Sequence, residues 1–92
     1  MLDFRFIPDE KPMHTRSLNY AGGIEYEGFV KAQDLKIIEN YLDYYGSFRW
    51  SSQQVKQKRL LLQPAVAAAI PNLASILKQA FAAECGLVAL GD

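Results

Sequence analysis

The stretch from Leu60 to Leu90 limits the architecture more than any other part of the chain. Of its 31 residues 22 are apolar, and only Lys78 and Glu84 carry charge. Such a segment has to be covered by the N-terminal part of the chain, by a second copy of it, or by a membrane. The membrane is the weakest of the three. Leu60 to Leu77 has the length of a span but contains Gln63, Pro64, Pro71, Asn72 and Ser75, so the continuous apolar run a bilayer demands is missing.

The rest of the chain supplies local patterns. Leu2, Phe4 and Phe6 alternate with Asp3, Arg5 and Ile7, which is the period of a half-buried strand, and Pro8 ends it. Residues 8 to 15 read as a loop that leaves His14 near the next element. Arg16 to Val30 reads as a hairpin. A three-residue loop, Ala21-Gly22-Gly23, sets Tyr20 opposite Ile24 and Leu18 opposite Tyr26 on one apolar face, with Glu25 and Glu27 on the other. Phe29 breaks that alternation.

From Asp34 to Tyr45 the period becomes helical: Leu35, Ile37, Ile38, Tyr41, Leu42, Tyr44 and Tyr45 fill one half of the circumference. Asp34 suits the N-cap and Gly46 the stop. Ser47 to Trp50 is a connector or one extra strand. Ser51 and Gln54 have capping-box spacing, and a helix follows to about Gln63. Pro64 and Pro71 each start a new helix or kink the old one. The expectation is a short helix over 65 to 70 and a longer one from Asn72 to about Cys85, ended by Gly86. Residues 87 to 92 read as a tail that packs only if Leu87, Val88 and Leu90 find a groove.

These elements predict one α+β domain over 1 to 92: a small antiparallel sheet of three strands, four if Phe48 to Trp50 pairs, packed against an amphipathic helix and a helical C-terminal half. One small sheet cannot cover both that helix and the Ala-rich segment. A homodimer is therefore expected, with residues 60 to 90 and the aromatic group in its interface.

Ten basic residues balance ten acidic ones. No net field draws the chain to polyphosphate or an anionic bilayer, so neither nucleic acid nor membrane is an expected partner. The lone Cys85 excludes an intramolecular disulfide, and Met1 to Pro8 alternates like a strand and not like a leader, which places the expectation in the cytoplasm.

Few residues suggest chemistry. In a helix running to Cys85, Glu84 would project about 20° from the stripe formed by Leu73, Ile76, Leu77, Ala80 and Phe81, a costly position for a carboxylate unless it is paired or neutral. It is a candidate acid, base or grip for a cation; a frayed helix end, or pairing with Arg5, Arg16 or Arg49, is the bland alternative. His14 is the only histidine, so a multi-histidine metal site within one chain is excluded. Cys85 has no cation beside it in sequence and reads as a packed thiol. Lys56, Lys58 and Arg59 do not form one stripe and read as a solvated face. Glu25 and Glu27 read as solvent-facing charge.

The aromatic group is more suggestive. Tyr41, Tyr44 and Tyr45, then Phe48, Arg49 and Trp50, have the composition that binding surfaces favour, with Tyr41 and Tyr45 better suited to a core. No catalytic motif, cofactor signature or metal set is present. The sequence favours a non-enzymatic interaction module, a regulator, inhibitor or accessory protein, using Tyr44, Phe48, Arg49, Trp50, Glu84 and His14 toward a protein partner. The alternative is a small-ligand binder or minor enzyme with its site in a dimer cleft. A pocket of a few hundred Å³ with converging polar groups would favour the second, and an exposed aromatic patch the first.

Overall fold

In the computed structural model, which describes residues 1–8 and 19–91, four strands and four helices follow the order β1 (Leu2–Ile7), β2 (Tyr20–Ile24), α1 (Tyr26–Asp34), β3 (Ser47–Trp50), α2 (Ser52–Leu60), α3 (Pro64–Ala69), α4 (Pro71–Ala82) and β4 (Gly86–Leu90). The strands form one antiparallel sheet in the order β2-β1-β4-β3. The fold is α+β. The expected loop at 8 to 15, His14, and the first half of the expected hairpin lie largely outside the described residues.

Register puts Leu2, Phe4 and Phe6 of β1, Ile24 of β2, Leu87 and Ala89 of β4, and Phe48 and Trp50 of β3 on one face, because residues paired across antiparallel strands share a face. Helices α2 and α4 cover that face, packing on each other and on the strands. Leu2, Phe4, Trp50, Val55, Leu73, Leu77, Leu87 and Ala89 are all at most 2% exposed. The opposite face carries Asp3, Arg5, Ser47 and Arg49 among apolar residues, with Val88 between the two arginines.

The largest correction concerns residues 86–90. They are no tail but an interior strand, paired with β1 on one edge and β3 on the other. Two glycines bracket it for a steric reason. A Cβ on Gly86 would overlap the Trp50 carbonyl oxygen, and one on Gly91 would lie 2.6 Å from the carbonyl oxygens of both Gly46 and Tyr44. Gly86 therefore admits the strand beside β3 and does not serve as a helix stop.

The expected hairpin is also overturned. Gly22-Gly23 lies within β2, where a Cβ on Gly22 would press to 3.0 Å on Ile76 of α4. Gly22 allows α4 to approach the strand, and neither glycine forms a turn. Residues 26–34 are helical. Phe29, the residue that disturbed the strand alternation, is buried with Ala32 on the inner side of α1. Glu27 sits in the first turn, where a carboxylate suits the helix dipole.

The expected helix from Asp34 to Tyr45 does not form. Instead α1 ends in a Schellman motif: Lys36 N–H donates to the Gln33 carbonyl and Ile37 N–H to that of Ala32, with Lys36 at φ 65°. The segment that follows buries Ile37, Ile38 and Tyr44 without helical periodicity.

Other expectations stand with small shifts. The capping box is complete, Ser51 Oγ accepting from Gln54 N–H at 3.2 Å while Gln54 Oε1 accepts from Ser51 N–H at 2.8 Å. The helix it starts ends at Leu60, not Gln63. Pro64 and Pro71 each open a helix. Among the described residues no helix is long and apolar enough to cross a membrane.

Gly86→Ala and Gly91→Ala should each destabilise by about 1–3 kcal/mol, since backbone must move to admit the methyl. Gly46→Ala, whose Cβ would sit at an ordinary 3.5 Å from Asp43, should change stability by less than about 0.5 kcal/mol. Urea unfolding of the three variants measures the contrast.

Candidate functional site

The aromatic group expected at a surface is divided by the fold. Trp50 is 2% exposed, in the core against Phe4 at 5.7 Å and Phe48 at 5.3 Å. Phe48 is half-buried beside it. The Trp50 ring is therefore not presented to solvent as a binding face would require. Arg49 is exposed on the opposite sheet face and donates to the Pro8 carbonyl at 3.1 Å. On that face the Tyr20 hydroxyl donates to Asp3 at 3.1 Å. Partial burial, then this bond and the Asp3 charge, raise the Tyr20 pKa, so its neutral phenol is the favoured form.

The tyrosines are reversed relative to expectation. Tyr44 is buried, its hydroxyl donating to the Ile24 carbonyl at 3.4 Å, whereas Tyr41 and Tyr45 are exposed. Tyr44 organises a cluster. Tyr26 and Tyr45 meet its ring edge-on at 5.3 and 5.1 Å, and Phe29 does so from α1 at 5.5 Å. Tyr26 is 54% and Tyr45 64% exposed. Both outward rings are therefore held against a fixed one. Asp43 helps to shape the turn by accepting from Tyr45 N–H at 3.0 Å. A shallow groove of about 280 Å³ runs from Tyr26 along α1, lined by Glu27, Val30, Lys31 and Asp34.

The irregular backbone behind this cluster is fastened by two side chains. Gln33 Nε2 donates to the carbonyls of Glu39 and Leu42, both at 3.1 Å. Lys58 Nζ donates to the Ile37 carbonyl at 2.6 Å and to Glu39 Oε1 at 3.0 Å, and lies 4.5 Å from the centre of the Trp50 ring. Lys58 is only 9% exposed, so the solvated face expected for the basic cluster is corrected at this residue. Its helical neighbours gave no sign of it. The nearest signal was that the cluster forms no continuous stripe.

A second feature lies on the helical layer. Helix α4 ends one turn earlier than expected, and Glu84 follows at φ 55° in the left-handed position of another Schellman motif: Glu84 N–H donates to Phe81 and Cys85 N–H to Ala80. Glu84 is thus exposed and off the apolar stripe, which overturns the interior carboxylate. It lines a cleft of about 450 Å³ with Ser52, Lys56, Phe81, Ala82 and Cys85. Cys85 is half-buried, its thiol 3.8 Å from the Ala80 carbonyl. His14 lies outside the described residues. Among them, no group of three His, Cys, Asp or Glu side chains could hold a metal ion.

Much of the apolar surplus is consumed within the chain. Leu73, Ala74, Ile76, Leu77, Ala80, Leu87 and Ala89 are at most 3% exposed. What remains exposed is chiefly Leu60, Leu61 and Phe81, while α3 has no fully buried residue but packs Val66 and Ala67 against the core. In comparisons with known proteins, no family model, curated protein or solved structure matches the chain.

Two outcomes are expected from denaturant titration. Lys58→Met should cost about 2–4 kcal/mol by stranding the Ile37 carbonyl and Glu39, and adding Glu39→Leu should recover part of that loss. At concentrations low enough to dissociate any dimer, Glu84→Gly should stabilise the fold by about 1 kcal/mol by removing a Cβ from a left-handed position.

Proposed function

We propose that the chain is a non-enzymatic protein-interaction module, a regulator, inhibitor or accessory protein that acts as a homodimer. The observation that supports a protein partner is the tyrosine cluster. Tyr26 and Tyr45 combine large exposed area with a hydroxyl each, and their packing on buried Tyr44 limits the side-chain entropy lost on binding. The adjoining groove on α1 offers apolar surface at Val30 with Glu27, Lys31 and Asp34 at its rim. Of the residues singled out in the sequence, Tyr44 keeps a role as the buried support of this surface. Trp50 belongs to the core, so its replacement would report on folding rather than on binding.

The homodimer is supported by apolar area on the helical layer, where Leu60 is 73%, Leu61 51% and Phe81 41% exposed. The alternative, a small-ligand site in a dimer cleft, draws support from the cleft shared by Ser52, Lys56, Glu84 and Cys85.

Copurification from cell extract tests the reading. Wild-type protein should retain a stoichiometric protein partner, and Tyr26→Ala with Tyr45→Ala should lose it while keeping the wild-type circular dichroism spectrum. Retention by the folded double variant would contradict the assigned surface, and the absence of any stoichiometric partner would contradict the module itself.

A further inference from the structure

We infer that the outer face of α2 and α4 is a two-fold self-association surface on which Lys56 of one copy pairs with Glu84 of the other, and the reverse. The inference rests on the homodimer reading and gives it an interface. Ser52, Lys56 and Leu60 are spaced four residues apart on α2 and so share a face. The cleft brings Lys56 beside Phe81, Ala82 and Glu84 at the end of α4.

The other cations of α2 are engaged: Lys58 holds Ile37 and Glu39, and the Arg59 guanidinium lies 5.6 Å over the Phe81 ring. Lys56 and Glu84 have no hydrogen-bonding or ionic side-chain partner among the described residues. Glu84 also holds a left-handed conformation that glycine would adopt without strain, so its carboxylate is kept at a conformational cost.

The charges decide the occupant. A partner surface of one sign would satisfy Lys56 or Glu84 and oppose the other. A second copy related by a two-fold axis satisfies both, because each residue meets the one that its own counterpart meets. Leu60 and Phe81 then supply the apolar centre and the two charge pairs the rim, the usual anatomy of a stable interface.

Charge exchange tests the pairing by sedimentation equilibrium at tens of micromolar protein. Wild type should sediment at twice the 10.4 kDa chain mass. Lys56→Glu and Glu84→Lys should each weaken dimerisation by roughly 100-fold, because each sets like charges together twice. An equimolar mixture of the two variants should recover the dimer, since every contact in the mixed pair is again complementary. Circular dichroism establishes that each variant is folded; should either fail, the neutral Lys56→Met and Glu84→Gln replace them, with an expected weakening of roughly 10-fold each.

A wild-type dimer whose folded variants dimerise unchanged would overturn this face and leave the homodimer reading intact. Variants that stay monomeric when mixed would overturn the Lys56–Glu84 pairing. A monomeric wild type would overturn both the face and the homodimer.

Discussion

The arrangement depends on one strand being gripped from both sides. Residues 86–90 pair with β1 along one edge and β3 along the other, so the sheet is continuous only when this stretch is in place. Glycines 86 and 91 make the insertion possible by leaving no Cβ where Trp50, Gly46 and Tyr44 bring their backbones. Leu87 and Ala89 then join Leu2, Phe4 and Trp50 under α2 and α4. Contacts between residues near 5 and near 88 are far apart in sequence, so the loop entropy they cost must be offset by the apolar surface they close over.

Once the sheet is closed, the segment between α1 and β3 has no regular partner for its backbone. The carbonyls of Ile37, Glu39 and Leu42 are instead met by Lys58 and Gln33. A buried ammonium is tolerable here because a carbonyl, a carboxylate and the face of Trp50 surround it. The same ammonium ties α2 to the segment that carries Tyr41, Tyr44 and Tyr45. The exposed tyrosines are thus anchored through the core and not through a helix of their own.

Local signals were legible where one residue type has one common use. The alternation of Leu2 to Ile7, the Ser51–Gln54 capping box and the prolines that open α3 and α4 all appear where the sequence puts them. The failures share a cause. Glycine at 22 and 86 reads as a turn or a stop, yet its use is close approach, which only the neighbouring element reveals. The helical spacing of Leu35, Ile37, Ile38 and Tyr44 is real, but Lys36 in a left-handed conformation and side chains from elsewhere in the chain win over it. A strand covered on both edges and buried on most of its length shows a continuous apolar run, so Leu87 to Leu90 cannot be told from a tail by period alone. The candidate site suffered likewise: Trp50 and Tyr44 went to the core, Tyr26 was read as a strand residue, and Glu84 left the stripe when its helix ended early.

With most apolar side chains consumed by the closed sheet, the tyrosine cluster and the α2–α4 layer keep exposed large apolar residues. The fold therefore stands on residues 86–90 being the closing strand. Amide hydrogen exchange measures this most directly. The backbone amides of 86–90 that bond to β1 and β3 should rank among the slowest in the chain, exchanging only on global unfolding. Exchange of those amides at the rate of unprotected backbone would show that the stretch is not held within the sheet and would contradict this fold at its base.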